Sequence, residues 1–314
     1  MTGRDDALRL NQHRLPLWRR MLRCWQLYVL VLPALVWIIL FAYLPMYGVQ
    51  IAFKDYKVNL GILGSPWVGL KYFRQFVNLP NFEMLIRNTL LISVYSMIFG
   101  FPAPILLALM LNQLRCKRYK SFVQTVTYAP YFISTVVLVS MLSIFLTPSS
   151  GFVNRIIVSM GGKAIPFMGD PKWFRTVYVA SGVWQGCGWG AIVYLAALGG
   201  VDPSLYEAAM VDGATKFQRL LHIDLPCILP TIVIMFILNM GNLLNVGYEK
   251  CYLMQNSLNN QVSEIISTYT YKIGLLNAKY SFSSAVGLFN SVINFVLVML
   301  TNGISRRLTK TSLW

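Results

Sequence analysis

Apolar residues run in long blocks along this chain, and polar residues gather between the blocks instead of alternating with them. Windows of about 20 apolar residues, the length a helix needs to cross a hydrocarbon core, fall at 27–52, 88–111, 122–146, 178–198, 228–246 and 284–304. A segment in lipid must satisfy its backbone groups internally, so each block predicts a helix. The six together predict an all-α membrane protein with one six-span domain over 27–305. It is flanked by a basic N-terminal part, 1–26, and a short tail, 306–314.

The polar flanks orient these spans. Arg4, Arg9, Arg14, Arg19, Arg20 and Arg23 precede the first block against only Asp5 and Asp6. Arg115, Lys117, Arg118 and Lys120 lie between the second and third, and Arg306, Arg307 and Lys310 follow the sixth. These short basic segments fall on one face of a six-span protein, and the positive-inside rule makes that face cytoplasmic, with both termini. Just before the first span, Trp18, Met21, Leu22 and Trp25 share one helical face, opposite Arg19, Arg20 and Arg23. That pattern predicts a short helix lying on the inner leaflet. The first apolar block is too long for a cleaved leader and has no small-x-small site after it, so it reads as a retained span.

Composition agrees with this picture. The 314 residues are 56% hydrophobic and 12% charged, with a formal net charge of +16; soluble domains carry about 25% charged residues. The positive charge belongs to membrane flanks, and a nucleic-acid partner is not expected. Cys24, Cys116, Cys187, Cys227 and Cys251 form no Cys-x-x-Cys pair, so neither a disulfide framework nor a metal site is indicated.

The polar island at 202–226 has helix punctuation of its own. Asp202-Pro203 is an N-cap followed by proline at the first helical position. Gly213 is placed to end that helix in a left-handed conformation. Thr215 and Gln218 have capping-box spacing for a second helix, with Phe217, Leu220 and Leu221 on its apolar side. Pro226 is expected to stop that second helix before the fifth span. The result is a compact helix–turn–helix on the same face as both termini.

Glu207-Ala208-Ala209, three residues, Gly213, nine residues, then Ile223-x-Leu225-Pro226 resembles at every defined position the EAA loop of ABC-importer permeases. Further segments resemble the polysaccharide and oligosaccharide subgroup of these permeases. They are Tyr47-Gly48-Val49-Gln50, Gly100-Phe101-Pro102-Ala103-Pro104 and Tyr128-Ala129-Pro130-Tyr131-Phe132-Ile133-Ser134, the last with Tyr131 where the subgroup has His, while Trp67-Val68-Gly69-Leu70 resembles the external segment of carbohydrate-type permeases more broadly. The likeness runs over 27–314 and implies the type I permease fold, in a bacterial plasma membrane. It further implies a non-catalytic subunit importing oligosaccharide or polysaccharide fragments. Its implied partners are a second, different permease chain, two ABC ATPase subunits and an extracytoplasmic solute-binding protein. The coupling residues it implies are Glu207, Ala208, Ala209, Asp212, Gly213, Phe217, Ile223, Leu225 and Pro226. Gly161-Gly162-Lys163-Ala164 lacks the spacing and hydroxyl of a phosphate-binding loop, so ATP and Mg are expected on the partner ATPases and no cofactor in this chain.

Polar and aromatic residues at membrane depth are costly unless they meet a partner or a pathway. Trp184, Gln185, Trp189 and Tyr194 in the fourth block, Asn239, Asn242 and Asn245 in the fifth, and Asn290 and Asn294 in the sixth are the candidate pathway. Ring faces stack on sugars and amides pair with hydroxyls, which suits a neutral or weakly charged saccharide. The competing role for each is helix packing or interfacial anchoring. An ion-coupled secondary transporter is an alternative that calls for intramembrane acids and symmetric halves. A membrane enzyme acting on lipid-linked sugars calls for clustered acids or histidines at an interface.

Overall fold

The computed structural model describes residues 25–114, 116–309 and 312–313. The chain folds as helices, and among the described residues the only strand-like pairing is an isolated bridge between Lys54 and Trp67. We number the principal helices α1 (Trp25–Phe53), α2 (Phe82–Gly100), α3 (Pro102–Asn112), α4 (Lys117–Tyr128), α5 (Thr135–Phe145), α6 (Pro171–Gly199), α7 (Pro203–Val211), α8 (Lys216–Met240), α9 (Tyr248–Met254) and α10 (Tyr280–Thr309). The expected inner-leaflet helix before the first span lies outside the described residues except for Trp25, as do Arg115 and Lys310.

Among the described residues, four helical stretches are long and apolar enough to cross a membrane: α1, α2 with α3, α8, and Tyr280–Arg307 within α10. The bent pair Lys117–Phe132 and Thr135–Phe145 makes a fifth when counted as one span. The remaining expected segment lies in α6, whose 29 residues give a rod of about 44 Å. Gly182, Gly186, Gly188, Gly190 and Gln185 hold down its hydropathy.

α6 is the central post, packing against α2, α3, α4 and α8. Its C-terminal half buries Ala191, Tyr194 and Leu198 against Ile105, Ala108 and Leu109 of α3 and Ile228 of α8. Its N-terminal half buries Phe174, Tyr178 and Val179 with Ile92, Val139, Cys251, Met254 and Ile265. A third cluster ties α10 to α2 through Phe282, Val286, Phe76, Leu85 and Ile266. The crossing of α6 and α4 depends on Gly188, where an added Cβ would stand only 2.0 Å from the Thr127 carbonyl oxygen. The first half of α1, Trp25–Ile38, is apolar all round and buries no residue within the chain, which fits a helix facing lipid or another subunit.

Two departures from the sequence reading have local causes. The third block is not one straight helix; it bends by 99° between the two halves. Ala129–Phe132 is a 3-10 turn containing Pro130, Ile133 is extended, and Ser134 starts α5 as an N-cap accepting from the Val137 N–H. Pro226 does not stop the second loop helix either, since α8 runs continuously into the fifth span. Proline lacks the N–H for the helical ladder and its ring presses on the carbonyl four residues back. The chain meets this by widening into a π turn over Leu220–Asp224, with the Leu225 N–H donating to the Leu220 carbonyl.

Candidate functional site

The 202–226 element is a rigid corner whose caps are those its sequence calls for. Asp202 Oδ1 accepts from the Ser204 N–H at 2.9 Å, and Pro203 occupies the first turn of α7. Gly213 has φ +77°. Around it the Gly213 N–H donates to the Met210 carbonyl at 3.1 Å and the Ala214 N–H to the Ala209 carbonyl at 2.8 Å. Those two bonds satisfy carbonyls the helix end would otherwise orphan. Thr215 and Gln218 form a reciprocal capping box.

The faces of this corner divide cleanly. Glu207, Ala208, Asp212, Gly213 and Pro226 are exposed, while Ala209, Ile223 and Leu225 are half-buried. Val211 and Phe217 are 88% and 68% exposed and form a projecting apolar tip. On the opposite face Asp224 is wholly buried. Its carboxylate accepts from Tyr206 Oη of α7, from Gln113 Nε2 at 2.8 Å and from Asn112 Nδ2 at 3.2 Å, the last two at the end of α3. Burial, then the hydrogen bond and charge of Asp224, push the Tyr206 phenol up to about 12, so it remains a donor at neutral pH. Three elements are thus pinned on one carboxylate. Asp224 falls between two motif residues and gave no pattern signal; only the cost of burying an acid marks it.

A cavity of about 520 Å³ opens between α2, α3, α6, the end of α8 and α9, within the usual range for small-molecule sites. Of the candidate pathway residues it brings together Gln185, Asn239, Asn242 and Asn245, beside Ser93 and Lys250. Gln185 Nε2 donates to the Ile133 carbonyl at the break before α5, at 2.8 Å. Asn239 Nδ2 bonds back to the Met235 carbonyl, and Asn245 Nδ2 to Asn242 Oδ1.

The other candidates lie elsewhere. Trp184 faces an apolar groove with Leu138, Leu142 and Phe145. Trp189 is stacked on Tyr131 with centroids 4.6 Å apart and planes 5° from parallel. Tyr194 is 3% exposed within the α3–α6–α8 core. Asn290 and Asn294 brace the turn after α8: Asn294 Oδ1 accepts from the Leu244 N–H at 3.2 Å and Asn290 Nδ2 reaches Asn245 Oδ1 at 3.3 Å. They hold the wall of the cavity and do not line it.

Lys250 carries no sequence signal of its own, because it sits in a polar stretch after the fifth block. It is 8% exposed, donates from Nζ to the Tyr178 carbonyl at 2.9 Å, and lies 4.6 Å from the Tyr178 ring centroid. Burial pulls its ammonium down to about 8. Among the described residues the one ion pair is Lys272–Glu264, at 2.8 Å.

Residues 100–310 match the family described as binding-protein-dependent transport system inner membrane component. The chain is 45% identical over 288 residues to protein LplB of Bacillus subtilis (strain 168), covering 92% of this chain and 91% of that one. It is 44% identical over 281 residues to the polygalacturonan/rhamnogalacturonan transport system permease protein YteP of the same organism, covering 90% and 88%. It superposes with TM-score 0.86 and 41% identity on a chain of a bacterial alginate ABC transporter in complex with an alginate pentasaccharide-bound periplasmic protein, covering 95% and 99%.

Proposed function

Since the chain belongs to the inner-membrane components of binding-protein-dependent transport systems, we propose that it forms one membrane half of an ATP-driven importer of acidic oligosaccharides. It is an all-α, non-catalytic permease of the type I fold. An extracytoplasmic binding protein delivers the saccharide, and the chain pairs with a different sister permease across the six-span bundle. Two ATPase subunits dock on the cytoplasmic face and bind ATP and Mg. Their closure is transmitted through Glu207, Ala208, Ala209, Asp212, Gly213 and Phe217, with Ile223, Leu225 and Pro226 carrying it into α8. The saccharide passes along Gln185, Asn239, Asn242 and Asn245.

The observation that carries this reading is the division of the 202–226 corner into an exposed apolar and acidic tip and a wholly buried carboxylate anchor. A tip that projects Val211 and Phe217 is built for a protein cleft, and an anchor tied to α3 passes its movement to the bundle. Relatives named for polygalacturonan/rhamnogalacturonan and alginate support an acidic cargo, where the amide-lined wall alone suited a neutral one.

The test is uptake by proteoliposomes holding this chain, its sister permease, both ATPases and the binding protein. ATP-dependent accumulation of trigalacturonate is expected. Uptake driven by a proton or sodium gradient without ATP would overturn the reading in favour of a secondary transporter, and turnover of a lipid-linked sugar in favour of an enzyme.

A further inference from the structure

We infer that Lys250 recognises a saccharide carboxylate at the outer mouth of the α2–α3–α6–α8 cavity and sets the importer's preference for charged sugar. This rests on the acidic-saccharide reading above and names the residue that executes it. α6 enters the coupling corner at its C-terminal end, so its Tyr178 end lies on the opposite, external side. Lys250, held on the Tyr178 carbonyl and lining the same cavity, therefore stands where a delivered saccharide enters.

The side chain is built in yet unneutralised. A buried charge is costly unless paired, and the cavity lining contains no Asp or Glu among the described residues. Glu264, on a segment packed beside α9, is committed to Lys272 and Gln255. An ammonium carries three donors. One goes to the Tyr178 carbonyl and one face of the head group rests toward the Tyr178 ring. The remaining side is open because residue 182 is glycine: a Cβ there would come within 3.4 Å of Nζ.

A second polar group waits in the same wall. Ser93 Oγ is buried in a residue 4% exposed and has no hydrogen-bond partner among the described residues. A carboxylated pyranose supplies what both lack, an anionic acceptor for Lys250 and hydroxyls for Ser93 and the amides of Asn242 and Asn245. A neutral sugar would leave the cation unpaired.

The experiment uses the complete transporter in proteoliposomes, with trigalacturonate and maltotriose as the charged and neutral probes. Wild type, K250M, K250Q and K250R are compared, with assembly judged by co-purification of all subunits. The expected result is uptake of trigalacturonate reduced about tenfold or more in K250M and K250Q, with K250R retaining most of it. Uptake of trigalacturonate by K250M or K250Q at the wild-type rate would overturn the inference, as would equal losses in the neutral variants and K250R. Wild-type uptake of maltotriose but not trigalacturonate would instead remove the acidic-saccharide reading itself, with the ATP-driven importer left standing.

Discussion

Gln113, at the end of α3, donates a 2.8 Å hydrogen bond to the carboxylate of Asp224, 111 residues further along the chain. The contact joins the bundle to the 202–226 corner at a fully buried acid. With Tyr206 and Asn112 on the same carboxylate, the corner cannot tilt without pulling on α3. Rigid-body transmission needs such a fixed joint, because packed elements switch position as units.

Asp224→Ala is expected to loosen that joint. It leaves the Tyr206 hydroxyl and two amide groups without their shared acceptor, and an unsatisfied buried polar group costs about 1–3 kcal/mol. Lower thermal stability and weakened stimulation of ATP hydrolysis by loaded binding protein are expected together. Asp224→Asn keeps one acceptor oxygen and should fall between the two. An alanine variant with wild-type stimulation would show that the joint carries no coupling.

Glu207→Lys is expected to weaken ATPase docking. Glu207 is exposed on the projecting helix, beside Ala208 and the apolar tip, and a reversed charge at a complementary interface costs association about tenfold or more. Detergent-solubilised permease should still purify as a folded chain, since the side chain braces nothing in the corner. Undiminished co-purification of the ATPases would take Glu207 out of the interface.

Gly213→Val is expected to disturb the corner through its backbone alone. Beyond the adjoining residues, no atom of the described residues lies within 4 Å of a Cβ built there, yet φ is +77°, a region where a β-branched residue is strained by about 1–3 kcal/mol. Gly213→Asn tolerates that conformation better and should recover most transport. Equal activity of the valine and asparagine variants would mean the turn relaxes to another geometry.

The sequence carried the corner almost completely, because caps are local chemistry. Asp202-Pro203, Gly213 and the Thr215–Gln218 pair each act within a few residues, so their types and spacing suffice. Helix type was legible for a similar reason, since lipid leaves a backbone few choices. The bend after α4 was harder. Its signals, Pro130 and the Ser134 cap, sit inside an apolar run that length alone reads as a span. The π turn before Pro226 is a tertiary answer to a local conflict and has no pattern of its own. Asp224 and Lys250 were invisible for a further reason: their partners Gln113 and Tyr178 lie far away in the chain, and only the packing of α3 and α6 brings them together.

Asn242 and Asn294 look alike in the sequence, both amides at membrane depth, but the structure gives them separable effects. Asn294 is 6% exposed and its Oδ1 accepts the Leu244 N–H. Asn294→Leu should orphan that donor and cost about 1–3 kcal/mol of stability, seen as reduced yield and a lower unfolding temperature. Asn242 is exposed to the cavity and bonds back to the Leu238 carbonyl at a long 3.4 Å. Asn242→Leu should leave thermal stability near wild type while raising the saccharide concentration needed for half-maximal uptake. Measuring both variants by thermal unfolding and by uptake at graded saccharide concentration separates wall from brace. If Asn242→Leu lost stability and Asn294→Leu lost only uptake, the assignment of the two amides would be reversed.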